Sequence, residues 1–250
     1  MTLSQTPVSV KSASLSVVVP VHNEAPILVD QVHEMIGGLR NLGHPFELLL
    51  IENGSTDKTA TLCTALASKH PEIRVIQVPV GDYGVALKRG ILAAKEAVVV
   101  IFNVEFWSLE FVNIALTALE TRTMVIGSKS APGAHDDRPF IRSTITRTYN
   151  QLLRLVWGFD GTDTHGMKAF WREPLLPIVT ACVTAGFVFD TELVLRAQRA
   201  AISKLELPTD VRELRPPSSG ALARRVPSVL RNLLLLARSV PVFRRLRGRV

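Results

Sequence analysis

Asn103 and Glu105 stand two residues apart at the end of the apolar run VVVIF, Val98 to Phe102. In an extended chain side chains alternate sides, so both oxygen-bearing groups point into one space, where a polar ligand is expected. Two other apolar runs end the same way. LSVVVP leads into Pro20-Val21-His22-Asn23-Glu24, and FELLLIE into Glu52-Asn53-Gly54-Ser55-Thr56-Asp57. Asn and Asp also cap helices, and ENGSTD reads as a turn plus N-cap, which by itself would account for Ser55 and Asp57. Acids and amides at three run ends are harder to explain by capping. His22, His135 and His165 have no metal-ligand spacing and read as loop or hydrogen-bonding histidines. Tyr83 reads as a base-stacking or a packing aromatic.

The elements that must position these groups alternate along the chain. Strand-like runs begin at Leu15, Phe46, Ile73, Ala97 and Thr123, separated by helix-period stretches. In the first such stretch Ile27, Leu28, Val32, Met35, Ile36 and Leu39 share one face, with Pro26 acceptable in its first turn. Runs of Val, Ile and Leu without polar alternation are buried on both sides, which predicts an α/β domain with a mostly parallel sheet covered by helices. Ligands bind beyond the carboxyl ends of such strands, where the three polar clusters fall. The second half predicts helices over about 138–156 and 191–201, separated by the turn-rich GFDGTDTHGMKAFWREP, expected to wall the strand ends. The division is a lead-in over 1–13, one domain over 14–220 and a tail over 221–250.

The net charge of +7 is located in that tail. Residues 221–250 hold eight arginines and no acid, so the remainder carries −1. The N-terminus lacks an apolar core of signal-peptide type and no apolar run reaches about 18 residues, which predicts a cytoplasmic protein. Cys63 and Cys182 are far apart and read as buried thiols of a reducing compartment. In the tail Arg224, Arg231, Arg238 and Arg245 recur every seven residues while Val226, Val229, Leu230, Leu233, Leu234, Leu236 and Val240 fill other faces. Pro227 suits a helix start and Pro241 a helix stop. Such an amphipathic helix fits an anionic membrane surface, or packs on the body with its arginines solvated. Nucleic acid is not expected, since aromatic interleaving and binding motifs are absent.

SVVVPVHNE, ENGSTDKT, GVALKRG, GSKS, RSTITRTYNQLLR, DTHGMKAFWR, FVFDTELVLRA and LPTDVRELRPPSSG, in this order over about 14–220, resemble the family 2 glycosyltransferases of GT-A architecture, in particular the dolichyl and polyprenyl phosphate sugar synthases. The QxxRW signature of chain-extending synthases is missing. The resemblance implies a Rossmann-like fold and a nucleotide pocket at Pro20, Val21, Glu24, Glu52 and Ser55. Asn103 and Glu105 stand where the family carries an Asp-x-Asp pair for Mg²⁺ or Mn²⁺, so this shelf has lost one negative charge, and metal affinity is expected to be weaker. Trp107 replaces a further oxygen ligand, Glu52-Asn53 an acidic pair, and Val80 a frequent Asn.

For the acceptor, the resemblance implies phosphate contacts at Lys129, Arg142 and Arg215, with Arg215 joining Asn103 and Glu105 in the catalytic group. A polyprenyl phosphate attacks through its own anionic oxygen and needs positioning cations rather than a base. A hydroxyl acceptor would need one, with Asp163, Asp190 or Glu192 as candidates; Asp190 and Glu192 also read as a helix cap and a first-turn acid. The expected activity is inverting hexose transfer from a nucleoside diphosphate sugar to a polyprenyl phosphate at the cytoplasmic membrane face. Two alternatives are transfer to a hydroxyl and a catalytically silent sugar-nucleotide-binding relative. Expected partners are the nucleotide sugar, the lipid, the anionic surface and a membrane-embedded protein. The nucleotide-pocket residues all precede Gly220, so loss of the tail is expected to leave nucleotide binding intact.

Overall fold

The structure, a computed structural model, describes residue 10 and residues 13–134, 140–210 and 221–242, with the side chains of 140–142 and 221–226 outside that description. Within the first half the alternating runs become β1 (Leu15–Val21), α1 (Leu28–Asn41), β2 (Phe46–Asn53), α2 (Thr59–Lys69), β3 (Ile73–Val78), α3 (Tyr83–Ala93), β4 (Val98–Ile101), α4 (Leu109–Ala118) and β5 (Met124–Ser128). The second half adds α5 (Phe140–Trp157), β6 (Lys168–Trp171), α6 (Arg172–Ala181), α7 (Val188–Arg199), β7 (Lys204–Pro208) and α8 (Ala221–Ser239). The sheet order is β3-β2-β1-β4-β6-β5-β7, all pairings parallel except those of β6, which runs antiparallel to both neighbours.

Period two explains why the strands carry no polar alternation. Val17, Val19, Leu48, Leu50, Val98 and Val100 point to one face, where α1 and α4 close over them. Val18, Leu49, Ile51, Val99 and Ile101 point to the other, against α3, α6 and α7. Both faces are dry, so each position of a central strand must be apolar. The expected stripe of α1 is the one it buries: Leu28, Val32, Met35, Ile36 and Leu39. Cys63 and Cys182 are buried thiols whose pKa values burial pushes up to about 12, which leaves them unreactive.

Two expectations are corrected and one strand went unanticipated. GFDGTDTHGMKAFWREP is not all turn: its KAFW is β6, inside the sheet between β4 and β5. A four-residue run beginning with lysine carries little strand signal, yet Lys168 is buried and its ammonium meets the Asp190 carboxylate at 2.6 Å. The edge strand β7 was equally unsignalled. Finally, α8 starts at Ala221 and holds Pro227 in its interior, where no N–H reaches back to the preceding turn; it ends before Pro241, as expected.

The tail helix is also less separate than its composition implied. Leu236 and Val240 are fully buried, Val229 and Leu233 pack partly on the same core, and Trp157 Nε1 donates to the Val240 carbonyl at 3.2 Å. Its outer face exposes Leu230 and Leu234 beside Arg231 and Arg238.

Candidate active site

A cavity of about 620 Å³ opens at the carboxyl ends of β1, β2 and β4. The β1 loop contributes Pro20, Val21, His22 and Glu24; β2 contributes Asn53; the start of α3 contributes Gly81, Asp82 and Tyr83; the turn after β4 contributes Asn103 to Phe106. The far wall is His165, the segment Ala185 to Val188, and Ser228, Val229 and Asn232 of α8. Three strand ends converge because the strands are parallel and adjacent.

Asn23 ties the first two loops together. It adopts a left-handed backbone (φ 55°), a conformation Asn tolerates better than most residues, and its Oδ1 accepts the Thr56 N–H at 2.8 Å. Its own N–H donates to Ser55 Oγ at 3.0 Å, and the Glu24 N–H to Thr59 Oγ1 at 2.9 Å. His22 sits at 2.7 Å from the Asn53 carbonyl through Nδ1, which must therefore be the protonated nitrogen.

Asn103 and Glu105 do share the cavity, but not through strand alternation. β4 stops at Ile101, and the Asn103 and Phe106 backbones exchange hydrogen bonds of 3.1 and 3.2 Å, closing a tight turn. Val104 is buried at its tip while its two polar neighbours line the cavity. The donor set, one amide oxygen and one carboxylate, is hard and suits Mg²⁺ or Mn²⁺. Among the described residues no three His, Cys, Asp or Glu gather around one point. The turn thus presents two oxygen-bearing side chains to the cavity, a donor set that a hard divalent cation would accept. Trp107 leaves this cavity, donating from Nε1 to Gln31 Oε1 at 2.9 Å, and Val80 is exposed.

Of the proposed nucleotide residues, Pro20, Val21 and Glu24 line the cavity. Glu52 and Ser55 do not: Glu52 Oε1 accepts the Ser55 N–H at 2.7 Å, so the pair shapes the loop and Asn53 takes the cavity position. Asp57 caps, its Oδ1 accepting the Thr59 N–H at 2.9 Å. Lys129 lies in a second cavity of about 500 Å³ with Ser143, Arg147, Asn150 and Arg154 of α5, and no acid is among its described lining residues. The Arg142 side chain and all of Arg215 and His135 lie outside the described residues.

The three candidate bases are held elsewhere. Asp163 is buried, 2.7 Å from Lys129 Nζ, and accepts the His165 N–H at 2.9 Å. Burial pushes its carboxyl up, but the Lys129 ammonium, the His165 ring and the hydrogen bonds from both residues together hold it below its usual range. Asp190 faces Lys168 in the core and is not a cap, since α7 begins at Val188. Glu192 Oε2 accepts from the N–H groups of Val183 and Thr184 at 2.9 and 2.7 Å and from Thr184 Oγ1 at 2.7 Å, while Oε1 pairs with Arg196 at 2.7 Å. Burial raises that carboxyl too, and the Thr184 and Arg196 hydrogen bonds bring it below the usual range.

These depressed carboxylates make stability acid-sensitive. A carboxyl whose folded pKa is lowered contributes stability above its unfolded pKa, near 4, and loses it as pH falls through the folded value. The urea midpoint is therefore expected to hold between about pH 5 and pH 7 and to drop below about pH 4. Glu192→Gln should have a lower midpoint at pH 7 and a shallower acid fall; parallel falls in both proteins would remove Glu192 from this role.

The expected wall segment supplies His165 to the far wall, whereas Ala185 to Val188 and the α8 residues went unanticipated. His165 donates from Nε2 to the Phe187 carbonyl at 2.9 Å and lies 2.9 Å from Thr164 Oγ1 through Nδ1. Burial pushes its pKa down, which favours the neutral ring in this position. Tyr83 packs: its ring stacks on Phe187, centroids 5.4 Å apart.

Residues 16–176 match glycosyl transferase family 2. Glycosyltransferase AglD of Haloferax volcanii is 30% identical over 78% of this chain and 32% of its own. A dolichyl-phosphate beta-glucosyltransferase, ALG5C of Trichomonas vaginalis, is 26% identical over 79% of this chain and 63% of its own. An undecaprenyl-phosphate 4-deoxy-4-formamido-L-arabinose transferase of Pectobacterium carotovorum is 34% identical over 68% and 52%. The chain thus spans from about a third to under two thirds of the length of these relatives. In fold it matches glucosyl-3-phosphoglycerate synthase of Mycobacterium tuberculosis, solved with Mn²⁺, UDP and phosphoglyceric acid (TM-score 0.66, 21% identity, 93% of this chain and 80% of that one).

Proposed function

The chain belongs to glycosyl transferase family 2, and from that premise we propose that it moves a hexose from a nucleoside diphosphate sugar to a polyprenyl phosphate, with inversion, at the cytoplasmic face of a membrane. The observation that carries the acceptor is the occupation of Asp163, Asp190 and Glu192 in internal pairs, beside a cavity whose described lining bears Arg147, Arg154 and the Asp163-paired Lys129 and no acid. An acceptor hydroxyl would need a base; a phosphate brings an oxygen that is already anionic. Relatives named for dolichyl and undecaprenyl phosphate support the same reading.

In this mechanism Pro20, Val21, Glu24 and Asn53 receive the nucleotide, and Asn103 and Glu105 would hold a divalent cation. That cation, when bound, offsets the charge of the diphosphate as it leaves. Lys129, with Arg142 and Arg215, positions the acceptor phosphate. Its oxygen forms the new bond to the anomeric carbon while the bond to the nucleoside diphosphate breaks, the electron pair departing with the leaving group. No proton need be removed. Incubation with labelled nucleotide sugars and polyprenyl phosphate is expected to yield labelled lipid. Nucleotide binding without turnover across acceptors and metals would instead favour the silent relative, which the neutral Asn103 motivates.

The outer face of α8 is our candidate for the membrane contact. No described helix is long and apolar enough to cross a bilayer. Leu230 and Leu234, 57% and 64% exposed, flank Arg231 and Arg238 on a helix without acids. Replacing both leucines with Asn should weaken co-sedimentation with anionic vesicles roughly tenfold or more, given about 0.8 kcal/mol per buried CH₂. Unchanged binding would remove this face from the contact.

A further inference from the structure

The cavity's far wall includes a strap, residues 183–187, between α6 and α7. Its consecutive backbone groups are held by side chains from four places in the chain. Glu192 of α7 accepts the N–H groups of Val183 and Thr184. Asn232 Oδ1 of α8 accepts the Ala185 N–H at 2.9 Å, and Asp82 Oδ1 ahead of α3 accepts that of Gly186 at 2.8 Å. His165 donates to the Phe187 carbonyl. A segment without regular structure ordinarily satisfies such groups with water, so this arrangement fixes one conformation.

Close packing enforces it from below. Gly186 sits at φ 56°, and a Cβ on Gly84 would lie 2.6 Å from the Gly186 carbonyl oxygen, so α3 and the strap meet backbone to backbone.

We propose that Asn232 is a positioning residue for the donor cavity, setting the Ala185–Phe187 wall from the C-terminal helix. The side chain is 6% exposed and lines the cavity, while its Nδ2 donates to the Ser228 carbonyl at 2.9 Å, which fixes the amide orientation that presents Oδ1 to Ala185. Glu192, Asp82 and His165 hold the strap from the body; Asn232 holds it from α8. Whatever shifts α8 therefore shifts this wall. The inference rests on reading the cavity as the nucleotide-sugar site.

Asn232→Leu keeps the shape and removes the acceptor, leaving the Ala185 N–H unpaired; Asn232→Asp keeps the acceptor oxygen. With UDP-glucose as probe, Asn232→Leu is expected to raise the donor KM or Kd about tenfold with kcat within about twofold, and Asn232→Asp to recover most of the loss. Amide exchange at Ala185 should quicken in Asn232→Leu while the Val240 amide of the helix end stays protected. Asn232→Ala serves if the leucine variant does not fold. Unchanged donor affinity and Ala185 exchange would overturn the proposal, as would equal losses in the Leu and Asp variants. If the wild type binds no nucleotide sugar of a wider panel, the reading of the cavity fails instead, and Ala185 exchange alone then decides whether Asn232 sets the strap.

Discussion

Glu105→Gln is expected to lower metal-dependent turnover by on the order of a hundredfold or more, comparable to losing a preorganised charge contact to a leaving group. The substitution keeps side-chain length and one oxygen, so the turn closed by Asn103 and Phe106 should persist. What it removes is the formal charge of the shelf, since Asn103 contributes only an amide oxygen. Calorimetry gives a readout apart from turnover: Mn²⁺ should strengthen UDP binding to the wild type and do so far less for Glu105→Gln. Asn103→Asp should move in the opposite direction, tightening the cation. Equal activity of wild type and Glu105→Gln across a metal titration would sink the assignment of Glu105 as a ligand.

Truncation after Gly220 is the second large effect, since of the two readings of the tail the packing fits the helix held on the body. Leu236 and Val240 are fully buried, and their loss opens the core cluster they share with Trp157. Full burial of such side chains contributes about 1.5–3 kcal/mol each, so the two together represent about 3–6 kcal/mol. That is a large share of the 5–15 kcal/mol of a typical domain. Truncation also deletes Ser228, Val229 and Asn232 from the cavity wall. The shortened protein is expected to show a much lower urea midpoint and little or no UDP affinity. A truncated protein with wild-type midpoint and affinity would make α8 a detachable anchor after all.

The two halves of the chain were not equally legible. In the first half the periodicity of β1, β2 and β4 and the polar residues that end them placed the cavity, because parallel neighbours bring consecutive strand ends to one edge. Glu52 shows the limit: the correct strand end was identified, yet the carboxylate turns back to the Ser55 N–H and Asn53 faces the cavity. One residue of phase at a strand end changes which side chain reaches a ligand. In the second half β6 was invisible because its first residue is a lysine, whose burial beside Asp190 depends on a partner 22 positions away.

The sequence by itself determined the α/β class, the mostly parallel sheet, the edge where the polar strand ends gather and the resemblance to a family, because these depend on local periodicity and on motifs in order. Only the tertiary structure decided the roles of the charged residues. Asp163, Asp190 and Glu192 looked like available acids until Lys129, Lys168 and Arg196 were found beside them, and α8 looked like an appendage until its apolar side closed on the core. The physical reason is common to both: whether a carboxylate is reactive, or a helix detachable, depends on desolvation and on distant partners, and neither is encoded in spacing along the chain.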